Sequence, residues 1–188
     1  MFKAKLRHQL LKKRAQNVAN SLPLIEGICG YIQHHNIEQV AAYVPTETEP
    51  GGGIQLIDAL ASATATLYLP AVRPAHQMHW GIYESRGELV EGKYGILEPK
   101  NPRFTSAILE SCGLVLVPGL ACTRSGIRLG RGGGFYDRAL ATISRERVRF
   151  GIALNPWEIL DEIPFEQHDI VMDVIFTAEG TYQCSSNV

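Results

Sequence analysis

The residues with the most chemical potential lie between Val117 and Arg138, in the run Val-Pro-Gly-Leu-Ala-Cys-Thr-Arg-Ser-Gly-Ile-Arg-Leu-Gly-Arg-Gly-Gly-Gly-Phe-Tyr-Asp-Arg. An apolar run ends, a polar loop carries Arg124, Arg128 and Arg131, and Gly130-Arg131-Gly132-Gly133-Gly134 leads into a segment of helical character. Consecutive glycines let backbone N–H groups converge without side-chain interference. A helix start adds unpaired N–H groups and partial positive charge. The combination predicts an anion cradle; the plain alternative is a glycine turn with solvated arginines. No Gly-Lys-Ser/Thr follows, so it is not a P-loop, and its spacing and late position do not fit a dinucleotide fingerprint. Asp137 reads equally as an arginine counter-ion at a helix start or as a ligand for Mg²⁺ beside phosphate.

Charge is distributed unevenly around this segment. The formal net charge of the 188 residues is −1, which disfavours a bulk polyanion partner such as nucleic acid. Yet residues 1–25 hold Lys3, Lys5, Arg7, Lys12, Lys13 and Arg14 and no acid. Residues 124–149 hold seven arginines against Asp137 and Glu146, so 13 of the 18 basic residues lie in two short segments. If the fold joins them, they form a compact positive site suited to a small multiply charged anion. The acid-free start is Lys-rich and serine-poor, which argues against a presequence. The four cysteines form no CxxC pair, which favours free thiols in a reducing cytoplasm. No run approaches the ~18–20 apolar residues of a membrane span. His76 and His79 fall in a loop-to-strand stretch, and His34-His35 near a helix end suit dipole compensation better than metal binding.

Those residues need elements to position them. Phe2, Leu6, Leu10 and Leu11 recur at three- and four-residue spacing and predict a helix over 2–20 with that face buried. A second helix follows Ser21-Leu22-Pro23 to about His35. Val40 to Val44 reads as a buried strand, Thr46 to Gly53 as a loop, Ile54 to Ala61 as a helix and Thr66 to Leu69 as a strand. Strand–helix–strand order predicts a parallel sheet. Met78 to Tyr83 predicts a half-exposed strand, Gly95 to Pro99 a turn-rich connection and Leu114 to Val117 a core strand. Phe135 to Ile143 reads as a helix, and Val148 to Ala153 and Asp173 to Thr177 as strands. No repeat or linker interrupts the chain, so the expectation is one α/β domain over residues 1–188: a three-layer α/β/α sandwich with a mostly parallel sheet.

Arg128-Leu-Gly-Arg-Gly-Gly-Gly-Phe-Tyr-Asp-Arg138 closely resembles the RLGxGGGYYDR signature of the 5-formyltetrahydrofolate cyclo-ligases. Lys3-Ala-Lys-Leu-Arg7 with Arg14 is similar to that family's N-terminal K-x-x-L-R…R helix. Tyr43-Val-Pro with Glu49, Leu69-Pro70, Met78, Tyr83, Gly95-Ile-Leu-Glu-Pro99, Val115 to Gly119, Gly151-Ile-Ala, Ile163-Pro164 and His168 to Asp173 follow its pattern in order.

The resemblance implies an enzyme that uses ATP and Mg²⁺ to convert 5-formyltetrahydrofolate into 5,10-methenyltetrahydrofolate, releasing ADP and phosphate. A formyl amide is a poor electrophile; phosphoryl transfer to its oxygen makes a leaving group, and N10 closes the ring. Catalysis would come from positioning and phosphate neutralisation rather than a protein nucleophile. The implied ATP contacts are Lys3, Ala4, Lys5, Leu6 and Arg7, with Arg128, Leu129, Gly130, Arg131, Gly132, Gly133, Gly134, Phe135 and Tyr136. The implied folate contacts are Val44, Glu49, Arg131, Gly132, Gly133, Gly134 and Phe135; the implied catalytic residues are Arg131, Gly133 and Tyr136; and Asp137 and Asp169 would hold Mg²⁺, with Asp173 as the fallback for Asp169 and His168 beside it. Glu47 is the alternative folate carboxylate, although spacing from Tyr43 favours Glu49. Glu98 reads as substrate-orienting or as a turn residue, and Trp80 and Tyr83 as pterin-pocket lining or core. The expected partners are a reduced folate and ATP, with no nucleic acid or membrane, for a cytoplasmic monomer. This chain departs from the pattern at Cys122-Thr123, where Phe-Asp is usual, in the loop Glu47 to Gly53, and at Phe135, where a tyrosine is usual. A non-catalytic folate or nucleotide binder of the same fold is the rival reading.

Overall fold

The computed structural model describes residues 2–17, 20–74, 77–166 and 169–185. The chain opens with helices α1 (Phe2–Gln16) and α2 (Leu22–His34), then strand β1 (Gln39–Ala41), helix α3 (Ile54–Ala63) and strands β2 (Thr66–Arg73) and β3 (Gln77–Ile82). Short strands β4 (Leu89–Glu91) and β5 (Leu97–Pro99) precede β6 (Leu114–Leu116), β7 (Ala121–Thr123) and β8 (Arg128–Leu129). Helix α4 (Phe135–Leu140) leads to β9 (Arg149–Ala153), β10 (Ile159–Leu160), β11 (Val174–Thr177) and β12 (Gly180–Gln183).

Seven strands form the central sheet in the order β12-β11-β9-β6-β1-β2-β3. Pairing is parallel from β11 through β9, β6 and β1 to β2, and antiparallel at the two edges, β12 on β11 and β3 on β2. The protein is thus α/β with a large, mostly parallel sheet, as the strand–helix–strand order predicts. β6, at the centre of the sheet, is apolar and buried at every position because both its faces are covered. Leu114 and Leu116 turn to one face with Val40, Val174 and Phe176, where they meet Ile28 and Ile32 of α2 and Leu56 and Leu60 of α3. Val115, Ala41 and Ile175 turn to the other, where Leu140, Ile143, Trp80 and Leu109 cover them.

The differences from the sequence reading have local causes. β7 and β8 form a hairpin that β10 joins as a second sheet, and β4 pairs with β5; strands of two or three residues have no period to detect. The last three residues of the Gly95–Pro99 connection are therefore strand. α4 ends at Leu140, three residues short of the expected Ile143. α1 ends at Gln16, and the Val18-Ala19 part of the expected helix lies outside the described residues, as do Met1, His76, His168 and residues 186–188.

The buried face of α1 is the larger correction. Phe2 is 66 % exposed and Leu11 39 % exposed, whereas Arg14 is fully buried. The inward stripe is Lys3, Leu6, Arg7, Leu10 and Arg14. Leu6 and Leu10 pack on Leu120, Ala121, Leu129 and Ile163 of the small sheet and its surroundings. The helix is phased by the partners of its cations rather than by its most apolar face.

Candidate active site

A cavity of about 420 Å³ opens beyond the carboxyl ends of β1, β2 and β6, where open α/β sheets present their ligand sites. Its floor and walls are apolar: Tyr43 and Val44 follow β1, Pro70 and Val72 belong to β2, Met78 begins β3, and Ile96 and Phe135 close the sides. Its mouth is the loop from Gly130 to Gly134, with Arg128, Arg131 and Asp137. Gly132 has φ 99° and Gly134 φ 64°, both in the region that disfavours residues with a Cβ. A Cβ on Gly134 would also lie 2.8 Å from an Arg138 nitrogen.

Ion pairs organise the charges. The Arg131 Nη2 donates to Glu49 Oε1 at 3.0 Å, while Glu49 Oε2 accepts from the Thr46 N–H at 2.8 Å and the Thr46 hydroxyl at 3.1 Å. Thr46 and Glu49 sit three apart because the Glu49 N–H bonds back to the Thr46 carbonyl, closing a turn that aims the carboxylate inward. Arg128 pairs with Asp137 and donates to the Pro118 carbonyl at 2.9 Å. Lys3 Nζ donates to Glu166 at 2.8 Å and Asp169 Oδ2 at 3.1 Å. Burial opposes the charge on Lys3, but hydrogen bonds to Glu166 and Asp169 outweigh it and raise its pKa. Arg14 pairs with fully buried Glu158, donates to the Gly119 carbonyl at 2.8 Å, and holds Nη1 3.9 Å from Glu49. Losing one member of such a buried pair costs about 3–5 kcal/mol.

Three buried polar atoms have no partner among the described residues: the Tyr136 hydroxyl, Arg128 Nε and Arg14 Nη1. Buried polar groups are almost always satisfied by protein, water or ligand, so these atoms have hydrogen-bonding capacity to offer. Burial pushes the Tyr136 and Tyr43 phenols well above the ordinary tyrosine value, and the nearby Glu49 carboxylate raises both further. Both are therefore neutral donors over the physiological range.

The structure brings the two basic segments together. The Arg7 Nε–H donates to the Gly130 carbonyl at 2.8 Å, and the Arg7 guanidinium would be 3.5 Å from a Cβ on Gly132. Lys3 and Leu6 face inward with it, but Ala4 and Lys5 are exposed. Leu129 is buried beneath the loop in the small sheet. Arg128 is buried against Asp137, whereas Arg7 is bonded to a neutral carbonyl and Arg131, although paired with Glu49, is 46 % exposed, so Arg7 and Arg131 are the cations best placed at the mouth. Val44 and Glu49 line the cavity, whereas Glu47 is exposed and does not.

Asp137 lines the cavity and Asp169 lies at the Lys3 end of α1. Each carboxylate gives one oxygen to a basic partner and keeps the other without a donor among the described residues. No group of three His, Cys, Asp or Glu side chains is poised for a metal among those residues. Mg²⁺ needs only one or two carboxylates beside phosphate and water; Asp137 lines the cavity and could offer one, and Asp169 does not line it. Asp173 is fully engaged instead, by the Phe150 N–H at 2.7 Å and by Arg145 at 2.6 Å.

Trp80 and Tyr83 do not line the cavity. Trp80 is fully buried behind Tyr136, with ring centroids 6.4 Å apart, and Tyr83 donates to Asp58 at 2.6 Å. Cys122 is core, and the Thr123 hydroxyl accepts from the Ile127 N–H at 3.1 Å in the β7–β8 turn, so this departure leaves the cavity wall unchanged. Sequence reasoning missed Val72 and Ile96 as lining residues. Their position at strand ends and beside turns is visible only once register is known. Glu98, 7 % exposed, also lines the cavity and accepts from the Val72 N–H at 3.2 Å.

Fold and cavity together define an α/β protein in which a glycine-rich loop flanked by arginines opens onto a largely apolar chamber that Glu49, Glu98 and Asp137 also line. A profile of the 5-formyltetrahydrofolate cyclo-ligase family matches residues 2–178, and the chain belongs to that family of ligases. A 5-formyltetrahydrofolate cyclo-ligase of Mycolicibacterium smegmatis is 39 % identical over 143 residues, which cover 73 % of this chain and 72 % of the relative. That of Escherichia coli is 28 % identical over 130 residues, covering 68 % and 71 %. The NMR structure of Aquifex aeolicus 5,10-methenyltetrahydrofolate synthetase superposes with a TM-score of 0.76 at 25 % identity, over 100 % of this chain and 95 % of that one. No helix among the described residues is long and apolar enough to cross a membrane.

Proposed function

We propose that the protein cyclises 5-formyltetrahydrofolate to 5,10-methenyltetrahydrofolate at the expense of ATP, with Mg²⁺, releasing ADP and phosphate. The observation that supports this most is the Arg131–Glu49 pair, which puts a phosphate-type cation and a pterin-type carboxylate 3.0 Å apart where mouth and chamber meet. Two ligands that must exchange a phosphoryl group need that adjacency. The family resemblance and the match over residues 2–178 support the same reading.

On this reading the formyl oxygen takes the γ-phosphoryl group, N10 then attacks the activated carbon, and the phosphate leaves with that oxygen as the ring closes. Arg7, Arg131 and the Gly130–Gly134 backbone neutralise and hold the phosphates. Lys3 and the rest of its segment through Arg7 contribute from α1, and Arg128 keeps Asp137 in place. Asp137 and Asp169 would hold Mg²⁺, which would supply charge neutralisation for the phosphates. Glu49 accepts hydrogen bonds from the pterin, Val44 and Phe135 pack on it, and the Tyr136 hydroxyl donates to the ligand from an otherwise unpartnered position. The apolar chamber excludes water that would compete for the phosphoryl group. The chain is read as one domain, acting as a cytoplasmic monomer on small molecules.

The test is a spectrophotometric assay of the purified protein. The methenyl chromophore is expected to accumulate only when 5-formyltetrahydrofolate, ATP and Mg²⁺ are all present. Tight binding of both ligands without phosphate release would select the non-catalytic binder instead. That rival has lost one support, since Thr123 lies outside the cavity.

A further inference from the structure

Arg14 is not needed for the proposed reaction as described, yet it is the most buried cation among the described residues and touches both halves of the site. A guanidinium has five N–H donors. Here Nε and Nη2 make three bonds, to the two Glu158 oxygens and the Gly119 carbonyl. Nη1 makes none, although it is fully enclosed and 3.9 Å from Glu49 Oε1. A pair that existed only to tie α1 to the core would leave no enclosed donor unmatched.

The charges explain the unmatched donor. In the structure Arg14 balances Glu158, and Arg131 balances Glu49. Arg131 is 46 % exposed, on a glycine loop, and free to turn toward an anion; Arg14 is 0 % exposed and fixed. Once phosphate draws Arg131 away, Glu49 keeps only Thr46 and the spare Nη1 of Arg14. A shift of roughly 1 Å brings that nitrogen into hydrogen-bond range.

We propose that Arg14 is a positioning residue for substrate: it takes over Glu49 from Arg131 when the phosphate ligand binds, and holds the carboxylate oriented for the reduced pterin. Glu49 thus has an exchangeable arginine on the mouth side and a permanent one on the core side. The proposal rests on the folate reading above and adds to it a residue that touches neither ligand.

The experiment measures binding of 5-formyltetrahydrofolate by calorimetry, in the presence of a non-hydrolysable ATP analogue and Mg²⁺. The double variant Arg14→Gln/Glu158→Gln removes both buried charges. The amide oxygen that replaces the carboxylate still accepts from the Asn155 N–H, which Glu158 now satisfies at 2.9 Å. The expected result is a melting temperature near that of the wild type, analogue affinity within about twofold, and folate affinity reduced roughly tenfold or more. In a Glu49→Gln background the same double change is expected to alter folate affinity by less than about twofold, because its target is gone. Arg14→Lys, which keeps the charge beside Glu158 but cannot also reach Glu49, is expected to show the same selective loss should the double variant fold poorly. Unchanged folate affinity in these variants, or an equal loss without Glu49, overturns the proposal. Wild-type protein that binds no reduced folate overturns the function reading and this proposal with it; wild-type binding with unaffected Arg14 variants overturns this proposal alone.

Discussion

Arg7 and Gly130 are joined by a 2.8 Å hydrogen bond across 123 positions of sequence. The bond uses the Arg7 Nε–H and leaves both terminal nitrogens of the guanidinium available at the mouth of the glycine loop. Two basic segments far apart in sequence are therefore held together by a neutral carbonyl, which leaves the charge of Arg7 at the mouth.

Arg131→Ala is expected to weaken nucleotide affinity by roughly 10- to 150-fold, the worth of one charge-assisted hydrogen bond of about 1.5–3 kcal/mol. The fold should survive with some loss of melting temperature, because the side chain is 46 % exposed but its buried partner Glu49 keeps only Thr46 and an Arg14 nitrogen 3.9 Å away. Calorimetry with ATP checks it, and unchanged affinity would remove Arg131 from the phosphate site.

Tyr136→Phe deletes a buried hydroxyl that has no partner among the described residues. Removing an unsatisfied polar group is neutral or stabilising. The melting temperature should hold or rise while turnover of the formyl folate falls. A loss of stability would mean that the hydroxyl has a structural partner.

Gly132→Ala forces a Cβ onto φ 99°. The strain is about 1–2 kcal/mol and falls on the loop that faces the ligand. Nucleotide binding should suffer more than thermal stability, and parallel melting and binding curves will show whether it does.

Asp137→Asn leaves Arg128, whose side chain is 5 % exposed, without its counter-charge. Destabilisation of about 3 kcal/mol is expected, together with a higher Mg²⁺ requirement for turnover. Denaturant melts and a magnesium titration separate the two effects; an unaltered titration would exclude Asp137 as a ligand.

Alkaline stability should fall from about pH 9 to about pH 12. Burial pushes the Cys112 thiol from 9.0 up to about 12. Burial, then donation to Asp58, pushes the Tyr83 phenol from 10.0 up to about 12. The folded state retains protons that the unfolded chain releases, so this stability is complete below the ordinary values and is lost as pH approaches about 12. Cys112→Ala should remove the part of the decline that begins near the ordinary thiol value of 9.0, read by melting temperature against pH.

Much of this was legible in the residues. Leu114 to Val117 had to be a central strand because an unbroken apolar run needs both faces covered, and the glycine motif announced its loop by composition alone. The chamber was not legible in the same way. Val72 and Ile96 become neighbours only through register in β2 and the small β4–β5 pair, which no local pattern encodes. The phase of α1 was misread because its spacing of leucines outvoted Arg14, whose decisive partner, Glu158, is 144 positions away. Where an ion pair rather than apolar area sets orientation, the evidence lies in a second segment.

The dependence of α1 on Glu158 and Asp169 has a consequence for biosynthesis. This helix leaves the ribosome long before its counter-charges, which follow 144 positions after Arg14 and 166 after Lys3. A nascent chain can pair β1 with β2 early, but Arg14 and Lys3 lack these partners until those two acids emerge. A chain that ends before Glu158 lacks both counter-charges and, with them, the core residues Val174, Ile175 and Phe176, so it completes neither the entrance nor the interior.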